Sequence, residues 1–206
     1  MSTKNLGITM DTSLEFDKFV AKIVHTAHVR ANLILKTFVS RDSKLLIKAF
    51  VTYVRPLLEY CAPVWSPSRV GLIKMIEAVQ RRFTKRIIGL HKYSYSVRLQ
   101  LLCLDALQIR RIKLDLILCY NIIRGFVCVN VNNFFKIHHD GRTRGHNFKI
   151  HKQPCCLEVR KHCFSYRVVD LWNSLPLDVV NAVNTGIFKK RLDNIDFSSF
   201  LHSDLV

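Results

Sequence analysis

The sequence predicts a mainly α-helical protein. Apolar residues recur at helical spacing, most clearly between residues 70 and 88, where one side of the predicted helix is apolar and the other is basic. Only 7 of the 206 residues are Gly and 5 are Pro, so few positions interrupt helices. Because 49% of the residues are hydrophobic, the chain can bury a substantial core. We expect a helical bundle with a short N-terminal strand remnant and a smaller, partly irregular C-terminal segment.

The first elements are one strand and two helices. Residues 6–9 resemble the end of a strand, and we expect its partners to lie outside this chain. Thr12 and Glu15 have the spacing of a capping box, which predicts that the first helix begins here. Asp42 or Ser43 is suited to cap the second helix. Local sequence therefore indicates two successive helices before residue 60.

Prolines shape the next segment. Pro56 falls inside the second predicted helix and should kink or end it, because proline lacks the backbone N–H that a helix needs. Pro63 and Pro67 predict an extended, structured loop from 61 to 68 around Trp65.

The remaining helices are read from apolar periodicity and caps. The helix at about 70–88 is followed by Gly89, a natural C-cap. A short helix follows Ser94, and a longer one runs from about 105 to 124. Apolar residues surround this longer helix, which predicts that it is buried. Further helices are expected at about 161–173 and 185–195.

Composition suggests three regions. Residues 1–125 form a helical region, residues 126–160 an irregular basic loop region, and residues 161–206 a C-terminal helical segment. The soft boundary lies between 126 and 160.

The net charge of +17 is concentrated in the middle of the chain. Residues 41–125 carry 16 Lys and Arg against 5 Asp and Glu. Such an excess favours polyanionic partners. The N-terminus lacks the apolar segment of a secretory signal, and no stretch reaches the ~20 uncharged residues of a membrane span. We therefore expect an intracellular protein of the cytoplasm or nucleus, without a membrane partner, whose seven cysteines are reduced and serve mostly as small core residues.

The basic helix is the strongest candidate site. No acidic residue lies between Glu77 and Asp105, whereas a purely solvated face would be expected to mix both signs. We expect Phe83 to point inward while Arg81, Arg82 and Lys85 project together into solvent. A solvated helix face remains the alternative interpretation. The predicted nucleic-acid-binding residues are Lys74, Arg81, Arg82, Lys85, Arg86 and Lys92.

Other constellations are weaker. Six potential metal ligands crowd one stretch, but their spacing lacks the paired arms of a structural zinc site, so we predict no metal site. No nucleophile elbow, phosphate-binding glycine loop or paired aspartates occur, so no catalytic residue is assigned. Asp105 and Asp115 are interpreted as local ion-pair partners. The six potential metal ligands mentioned above are His146, His151, Cys155, Cys156, His162 and Cys163. Five aromatic residues near the basic region suit either base stacking or the core: Tyr53, Tyr60, Trp65, Tyr93 and Tyr95.

Residues 53–67, Tyr-Val-Arg-Pro-Leu-Leu-Glu-Tyr-Cys-Ala-Pro-Val-Trp-Ser-Pro, resemble the C-terminal part of reverse transcriptases from non-LTR retrotransposons of the LINE type, in particular jockey-like elements. The similarity continues in the family's order over nearly the whole chain. It includes Leu6-Gly7-Ile8 with Asp11, Ser40-Arg41-Asp42, the basic helix Ile76–Ile87, Thr143-Arg144-Gly145 and Trp172-Asn173-Ser174-Leu175-Pro176.

The resemblance implies the thumb and post-thumb region of an RNA-directed DNA polymerase. In that family the thumb grips the template–primer, so the implied partner is an RNA–DNA or DNA duplex. The aromatic-Ala-Asp-Asp motif of the palm is not in this sequence, so no catalytic residue is carried over. Any Mg²⁺ cofactor would belong to the palm, which another chain would have to supply. Two alternatives to a polymerase fragment stay open, a retained nucleic-acid-binding module and a protein-interaction piece.

Overall fold

The computed structural model of the chain describes residues 2–12, 14–138 and 146–201. About 59% of the described residues are helical, with the 3₁₀ turns included, which confirms the predicted mainly α fold. The elements up to residue 101 are β1 (Ser2–Asn5), β2 (Ile8–Asp11), α1 (Asp17–Thr37), α2 (Ser43–Tyr53), α3 (Arg55–Glu59), α4 (Ala62–Trp65), α5 (Val70–Lys85) and α6 (Tyr95–Leu101). They are followed by α7 (Leu107–Ile123), α8 (Glu158–Lys161), α9 (Phe164–Asn173), α10 (Leu177–Val180) and α11 (Thr185–Leu192), with short 3₁₀ turns at Val131–Asn133 and Ser198–Phe200.

The chain divides into two compact units. Unit 1 comprises the described residues within Met1–Arg110 and Phe200–Val206, and unit 2 comprises those within Arg111–Ser199. The division between the two units falls inside α7. The reason is that later residues of α7, such as Tyr120, are buried in the core of unit 2.

The N-terminal strand has its partner within this chain, so the expectation of an unpaired strand was wrong. β1 and β2 form an antiparallel hairpin in which Asn5 is opposite Ile8. The two turn residues, Leu6 and Gly7, both have positive φ, 46° and 84°. A two-residue turn of this kind matches the twist of antiparallel strands. Sequence periodicity missed β1 because Ser-Thr-Lys-Asn is polar and carries no apolar alternation.

The helix starts in unit 1 follow local chemistry only in part. Asp42 caps α2 as predicted, since its carboxylate accepts the backbone N–H groups of Lys44 (3.3 Å) and Leu45 (3.2 Å). The capping box at the start of α1 does not form. Helix α1 begins only at Asp17, and the Glu15 N–H instead donates to Asp11 Oδ1 (3.1 Å).

The segment of prolines is more helical than predicted. Pro56 ends the second helix as expected, because α2 stops at Tyr53 and Pro56 lies in the first turn of α3. The predicted extended loop is wrong, since residues 62–65 form the short helix α4. Pro63 fits there because the first turn of a helix does not use the missing N–H. Trp65 is buried and donates its indole N–H to the carbonyl of Tyr60 (2.7 Å).

The core of unit 1 lies between α1, α2 and α5. The rings of Phe19 and Trp65 meet edge to face at 5.5 Å, and Phe50 and Phe83 are 4.6 Å apart. All four side chains are at most 5% exposed. Phe83 therefore points inward, as the periodicity of α5 predicts.

Glu77 is a buried carboxylate on the inner side of α5, and it caps α7. Only 2% of the residue is exposed. It accepts the backbone N–H groups of Leu107 (3.1 Å) and Gln108 (3.3 Å) and the hydroxyl of Tyr95. Gln80 completes the network by donating to Tyr95 Oη (3.1 Å) and to the Asp105 carbonyl (3.0 Å). A negative charge at the start of a helix is stabilised by the helix dipole, so this carboxylate fixes where α7 begins.

The core of unit 2 is aromatic. Tyr120 stacks on Phe188 at 4.2 Å and donates its hydroxyl to the Ala182 carbonyl (2.7 Å). Asp115 receives two hydrogen bonds from the Arg167 guanidinium, at 2.8 and 2.9 Å. This bidentate contact confirms that Asp115 is an ion-pair partner.

Trp172 and Asn173, two residues of the C-terminal motif, hold the segment 146–150 against α9. The Trp172 indole donates to the Phe148 carbonyl (2.7 Å). The Asn173 side chain accepts the N–H of Ile150 and donates to its carbonyl, both at 2.9 Å. The motif therefore has a structural role in unit 2. The Thr143–Gly145 part of the resemblance lies outside the described residues.

The cysteines differ from the expectation that most serve as core residues. All seven are free thiols, but only Cys119 is fully buried, and burial raises its pKa well above the ordinary value. Cys103, Cys128, Cys156 and Cys163 are exposed. Among the described residues, no helix combines the length and apolarity that crossing a membrane requires.

Candidate nucleic-acid interface

A groove of about 580 Å³ lies between α1 and α5 of unit 1. Its rims are basic and polar, and its floor is apolar. None of its lining residues, all within the described part of the chain, is acidic. The rims consist of His25, His28 and Asn32 from α1 and of Arg82, Lys85 and Arg86 from the end of α5, and the floor of Val29, Ala31, Leu35, Val79 and Phe83.

The rim from α5 is formed by the last turn of the helix. Arg82, Lys85 and Arg86 are three or four residues apart, so they share one side of the helix end, and all three are exposed. Arg86 reaches across to α1, where its Nη1 donates to Asn32 Oδ1 at 2.5 Å. A guanidinium has five N–H donors, so this bond orients Arg86 and leaves capacity for a phosphate.

A stripe of exposed polar residues runs along most of α1, and two of its members, His25 and Asn32, line the groove. The members are three, four or seven positions apart, so they share one side of the helix. The stripe extends about 27 Å at 1.5 Å per residue, close to the ~34 Å of one duplex turn. Its members are Lys18, Lys22, His25, Asn32 and Lys36.

The electrostatics of the groove favour an anion. Burial is the main reason that the pKa of His28 lies below its ordinary value of 6.5, and the positive charge of Arg82 and the neighbouring His25 lower it further. His28 is therefore neutral near pH 7, when it can still donate one hydrogen bond. Arg82, Lys85 and Arg86 on the α5 rim raise the local potential without a lining carboxylate to offset it.

The floor supplies a different kind of contact. Phe83 and Val79 are buried in the core of unit 1, yet both also line the groove. Of the apolar lining residues, Val29 is exposed, and its position opposite the cationic rim of α5 suits the sugar face of a nucleic-acid backbone whose phosphates would meet that rim. The arrangement therefore has the charge and shape to receive an extended anion.

The six predicted site residues divide between the groove and other parts of unit 1. Arg82, Lys85 and Arg86 line the groove together. Lys74 is exposed near the start of α5, and Lys92 lies after the helix with its Nζ 5.4 Å from the centre of the Tyr93 ring. These two do not line the groove.

Arg81 differs from the expectation that it projects into solvent with Arg82 and Lys85. The residue is half-buried, and its guanidinium lies over the ring of Tyr95, 4.8 Å from the centroid. A cation over an aromatic face is stabilised by the ring quadrupole. One turn of α5 therefore directs its adjacent arginines to two different environments.

Arg98 belongs to the fold, although the sequence places it in the same basic stretch. It is 4% exposed and donates to Thr84 Oγ1 (3.2 Å), the Tyr93 carbonyl (2.6 Å) and the Arg81 carbonyl (3.3 Å). These bonds satisfy acceptors near the C-terminus of α5, where a positive charge also complements the helix dipole.

The aromatic residues near the basic stretch also divide. Trp65 and Tyr95 are buried in unit 1, so they belong to the core. Tyr53, Tyr60 and Tyr93 are exposed by 58%, 54% and 39%. Tyr60 donates its hydroxyl to the Leu6 carbonyl at 3.1 Å, which ties the hairpin to the helical part of unit 1.

The crowded histidine and cysteine stretch forms no metal-binding group within the residues that the structure describes. His146 is buried and bonds the Trp172 carbonyl through Nε2 (3.2 Å). Burial is the largest cause of its lowered pKa.

Sequence reasoning missed the contribution of α1. His25, His28 and Asn32 follow each other at intervals of three and four residues, which is a visible helical stripe. The apolar side of α1 predicts how the helix packs, whereas its polar side was not considered as part of a site. Nothing in the local pattern indicates that the stripe faces Arg82, more than 50 positions later in the chain.

No family model matches the sequence. An uncharacterized protein of Caenorhabditis elegans is 28% identical over 124 residues, which is 59% of this chain and 63% of the worm protein. The match therefore spans less than two thirds of that relative's length. No solved structure matches the chain.

Proposed function

We propose that this chain binds the sugar–phosphate backbone of a nucleic-acid duplex in the groove between α1 and α5. The observation that carries the proposal is a groove with Arg82, Lys85 and Arg86 on one rim and no carboxylate in its lining. Arginine suits phosphate because its planar donors form paired hydrogen bonds. The α1 stripe supports a duplex ligand, because its length approaches one helical turn.

Binding of this kind tolerates sequence differences. Contacts to phosphates fix position and orientation but carry no base information. An RNA–DNA hybrid or a DNA duplex is accordingly the proposed partner.

The resemblance of residues 53–67 and of the basic helix supports a more specific origin. We propose that the chain corresponds to the thumb and post-thumb region of a non-LTR retrotransposon reverse transcriptase, with the palm supplied by another chain. The sequence contains no aromatic-Ala-Asp-Asp motif, so we expect this chain alone to give no primer extension with a primed RNA template, deoxynucleotides and Mg²⁺. Extension that persists in purified protein, and is missing from a mock purification, would contradict this origin for the fragment.

A salt series tests the groove. Binding of a fluorescent RNA–DNA duplex should weaken linearly in a log–log plot, with a slope of about −0.9 per phosphate neutralised. Changing Arg82 and Arg86 together to Ala should flatten the slope by about two units, because two phosphate contacts are lost. Fluorescence anisotropy at four or five salt concentrations measures both affinity and slope.

The matched control removes two cations elsewhere in unit 1. Lys44 and Lys48 are exposed residues of α2 that do not line the groove. Changing both to Ala lowers the net charge by the same amount, so a general charge effect would appear equally in the two double variants. Equal slopes for the two variants would refute the groove as the binding site.

The apolar floor favours a second candidate, contact with an acidic protein segment that also carries apolar side chains. Such binding would bury the exposed side chain of Val29, and burial of apolar surface gives a negative heat-capacity change. Duplex binding that depends on Arg82 and Arg86 favours the first candidate. A duplex affinity that neither double variant changes would favour the second.

A further inference from the structure

Unit 2 contains a small polar pocket that the proposed duplex groove does not use. It measures about 160 Å³ and lies between the 3₁₀ turn at Val131–Asn133, the segment around His151, and helices α8 and α9. Two cations, Lys136 and Arg160, contribute to its wall together with His151. None of the lining residues, which all belong to the described part of unit 2, is acidic.

Two cations beside the pocket are paired with carboxylates, whereas, in the part of the chain that the structure describes, the two that line it are not. Nearby Lys152 pairs with Asp170, and Lys161 pairs with Glu158. Within the described residues, in contrast, neither Lys136 nor Arg160 forms an ion pair. Lys136 and Arg160 are therefore available to an external anion.

The backbone around the pocket is held in place from two sides. Lys136 and His151 lie on adjacent antiparallel segments, where the His151 N–H donates to the Lys136 carbonyl (2.7 Å) and the His138 N–H donates to the Lys149 carbonyl (2.8 Å). Asn173 fixes Ile150 through both of its backbone groups. The position of Lys136 and His151 is thus set by the fold before any ligand arrives.

Two further features favour an anion. Ser165, from the first turn of the ten-residue helix α9, lines the pocket, and the N-terminus of a helix carries partial positive charge. His151 Nδ1 lies 3.2 Å from His138 Nε2, so each ring restricts the orientation of the other.

We infer that this pocket binds a phosphate monoester group, such as the terminal 5′-phosphate of a nucleic-acid strand. Its volume is below the ~300 Å³ of pockets for larger ligands, which suits a single headgroup. A phosphate monoester carries a charge of about −1.5 to −2 at pH 7, matching two cations better than an internal phosphodiester does. Free inorganic phosphate offers the same chemistry.

Two oligonucleotides of the same sequence, one with a 5′-phosphate and one with a 5′-hydroxyl, test the inference with the full chain. Both carry a fluorophore at the 3′ end. The phosphorylated strand should bind on the order of tenfold more tightly, as expected for charge-assisted hydrogen bonds. Lys136→Ala should remove most of this preference. Lys190→Ala, which removes an exposed cation of α11, should retain it.

Thermal melts distinguish the source of the phosphate. Inorganic phosphate should raise the melting temperature of the wild-type protein above that in chloride at equal ionic strength, and Lys136→Ala should abolish the increase. Stabilisation without a strand preference would assign the pocket to free phosphate. If the protein shows no preference for the phosphorylated strand and inorganic phosphate gives no Lys136-dependent stabilisation, the inference is overturned. The 5′-hydroxyl strand can bind only through contacts to its backbone. If this strand does not bind, the proposed groove is contradicted and the phosphate pocket is not.

Discussion

The two sides of the basic stretch in unit 1 carry the same kind of charge and use it differently. On the groove side, Arg82, Lys85 and Arg86 are exposed and form one rim of a groove that has no acidic lining residue. On the other side, Arg81 lies over Tyr95, and Arg98 is buried in hydrogen bonds to backbone carbonyls and Thr84. The comparison shows that a cluster of arginines in sequence is not a cluster in space, and that partners determine which cations can serve a ligand.

The difference has its origin in the end of α5. Arg98 approaches the C-terminal part of α5 and donates to the Arg81 carbonyl, and it also donates to the Tyr93 carbonyl in the loop that follows. A positive charge at this end complements the helix dipole. Residues on the opposite side of the same turn face α1, which offers the Asn32 side chain to Arg86. The side of the helix on which each arginine lies therefore determines whether it packs within unit 1 or lines the groove.

Replacing Arg98 should produce the largest effect. Arg98→Ala leaves several buried acceptors without their donors, so we expect a loss of about 3 kcal/mol in the free energy of unfolding. Arg82→Ala should change stability by less than about 0.5 kcal/mol, as is usual for exposed positions. Urea denaturation monitored by circular dichroism measures both.

Arg98→Met serves as the control for packing, since it keeps most of the side-chain volume and removes the hydrogen bonds. Equal stabilities of Arg98→Met and wild type would show that the guanidinium contributes nothing to the fold.

Single replacements of the adjacent Arg81 and Arg82 should have an intermediate effect, on the salt slope of duplex binding. Arg82→Ala should flatten the salt slope of duplex binding by about one unit, because one phosphate contact is lost. Arg81→Ala should change that slope much less, since its guanidinium is already placed over Tyr95. Anisotropy titrations at the same series of salt concentrations measure the slope for each variant. If Arg81→Ala has the larger effect, the binding surface lies on the other side of α5.

The smallest expected effect is a dependence on pH. His28 is flanked by His25 on α1 and faces Arg82, Lys85 and Arg86 from α5. Because its pKa lies below 6.5 in the free protein, His28 gains a proton mainly below that pH, and a bound phosphate favours the protonated form. Affinity for the duplex should therefore rise by a few-fold between pH 7.5 and 5.5.

The stability of the free protein should change in the opposite direction. A lowered pKa in the folded state means that His28 contributes stability above the unfolded-state pKa of about 6.5 and loses it as the pH falls. His28→Gln should flatten both pH profiles. Parallel changes in affinity and stability would indicate that another group is responsible for the pH dependence.

Local signals in the sequence were sufficient for some elements and not for others. Asp42, the apolar side of α5 and the short helix after Ser94 were predicted because each depends on residues within a few positions. The hairpin partner β1 was missed because its residues are polar, and α4 because prolines were interpreted only as helix breakers.

The candidate site was harder to predict than the fold. Three of the six predicted residues line the groove, and the α1 rim depends on a contact between segments more than 50 residues apart. The roles of Arg81 and Arg98 likewise depend on Tyr95 and on backbone carbonyls, which periodicity does not indicate. The charge pattern of the sequence indicates the basic stretch, whereas the tertiary contacts determine which of its residues line the groove.

The Glu77 cap has a consequence for the order in which unit 1 folds. Its carboxylate lies 30 residues before the Leu107 N–H that it accepts, and closing a chain segment of that length costs about 3 kcal/mol of entropy. The first turn of α7 can gain this cap only after α5 has formed and brought Glu77 into place. We therefore expect the amides of Leu107 and Gln108 to become protected later than those of α5 in pulsed hydrogen exchange during refolding. Simultaneous or earlier protection would show that α7 nucleates without its distant cap.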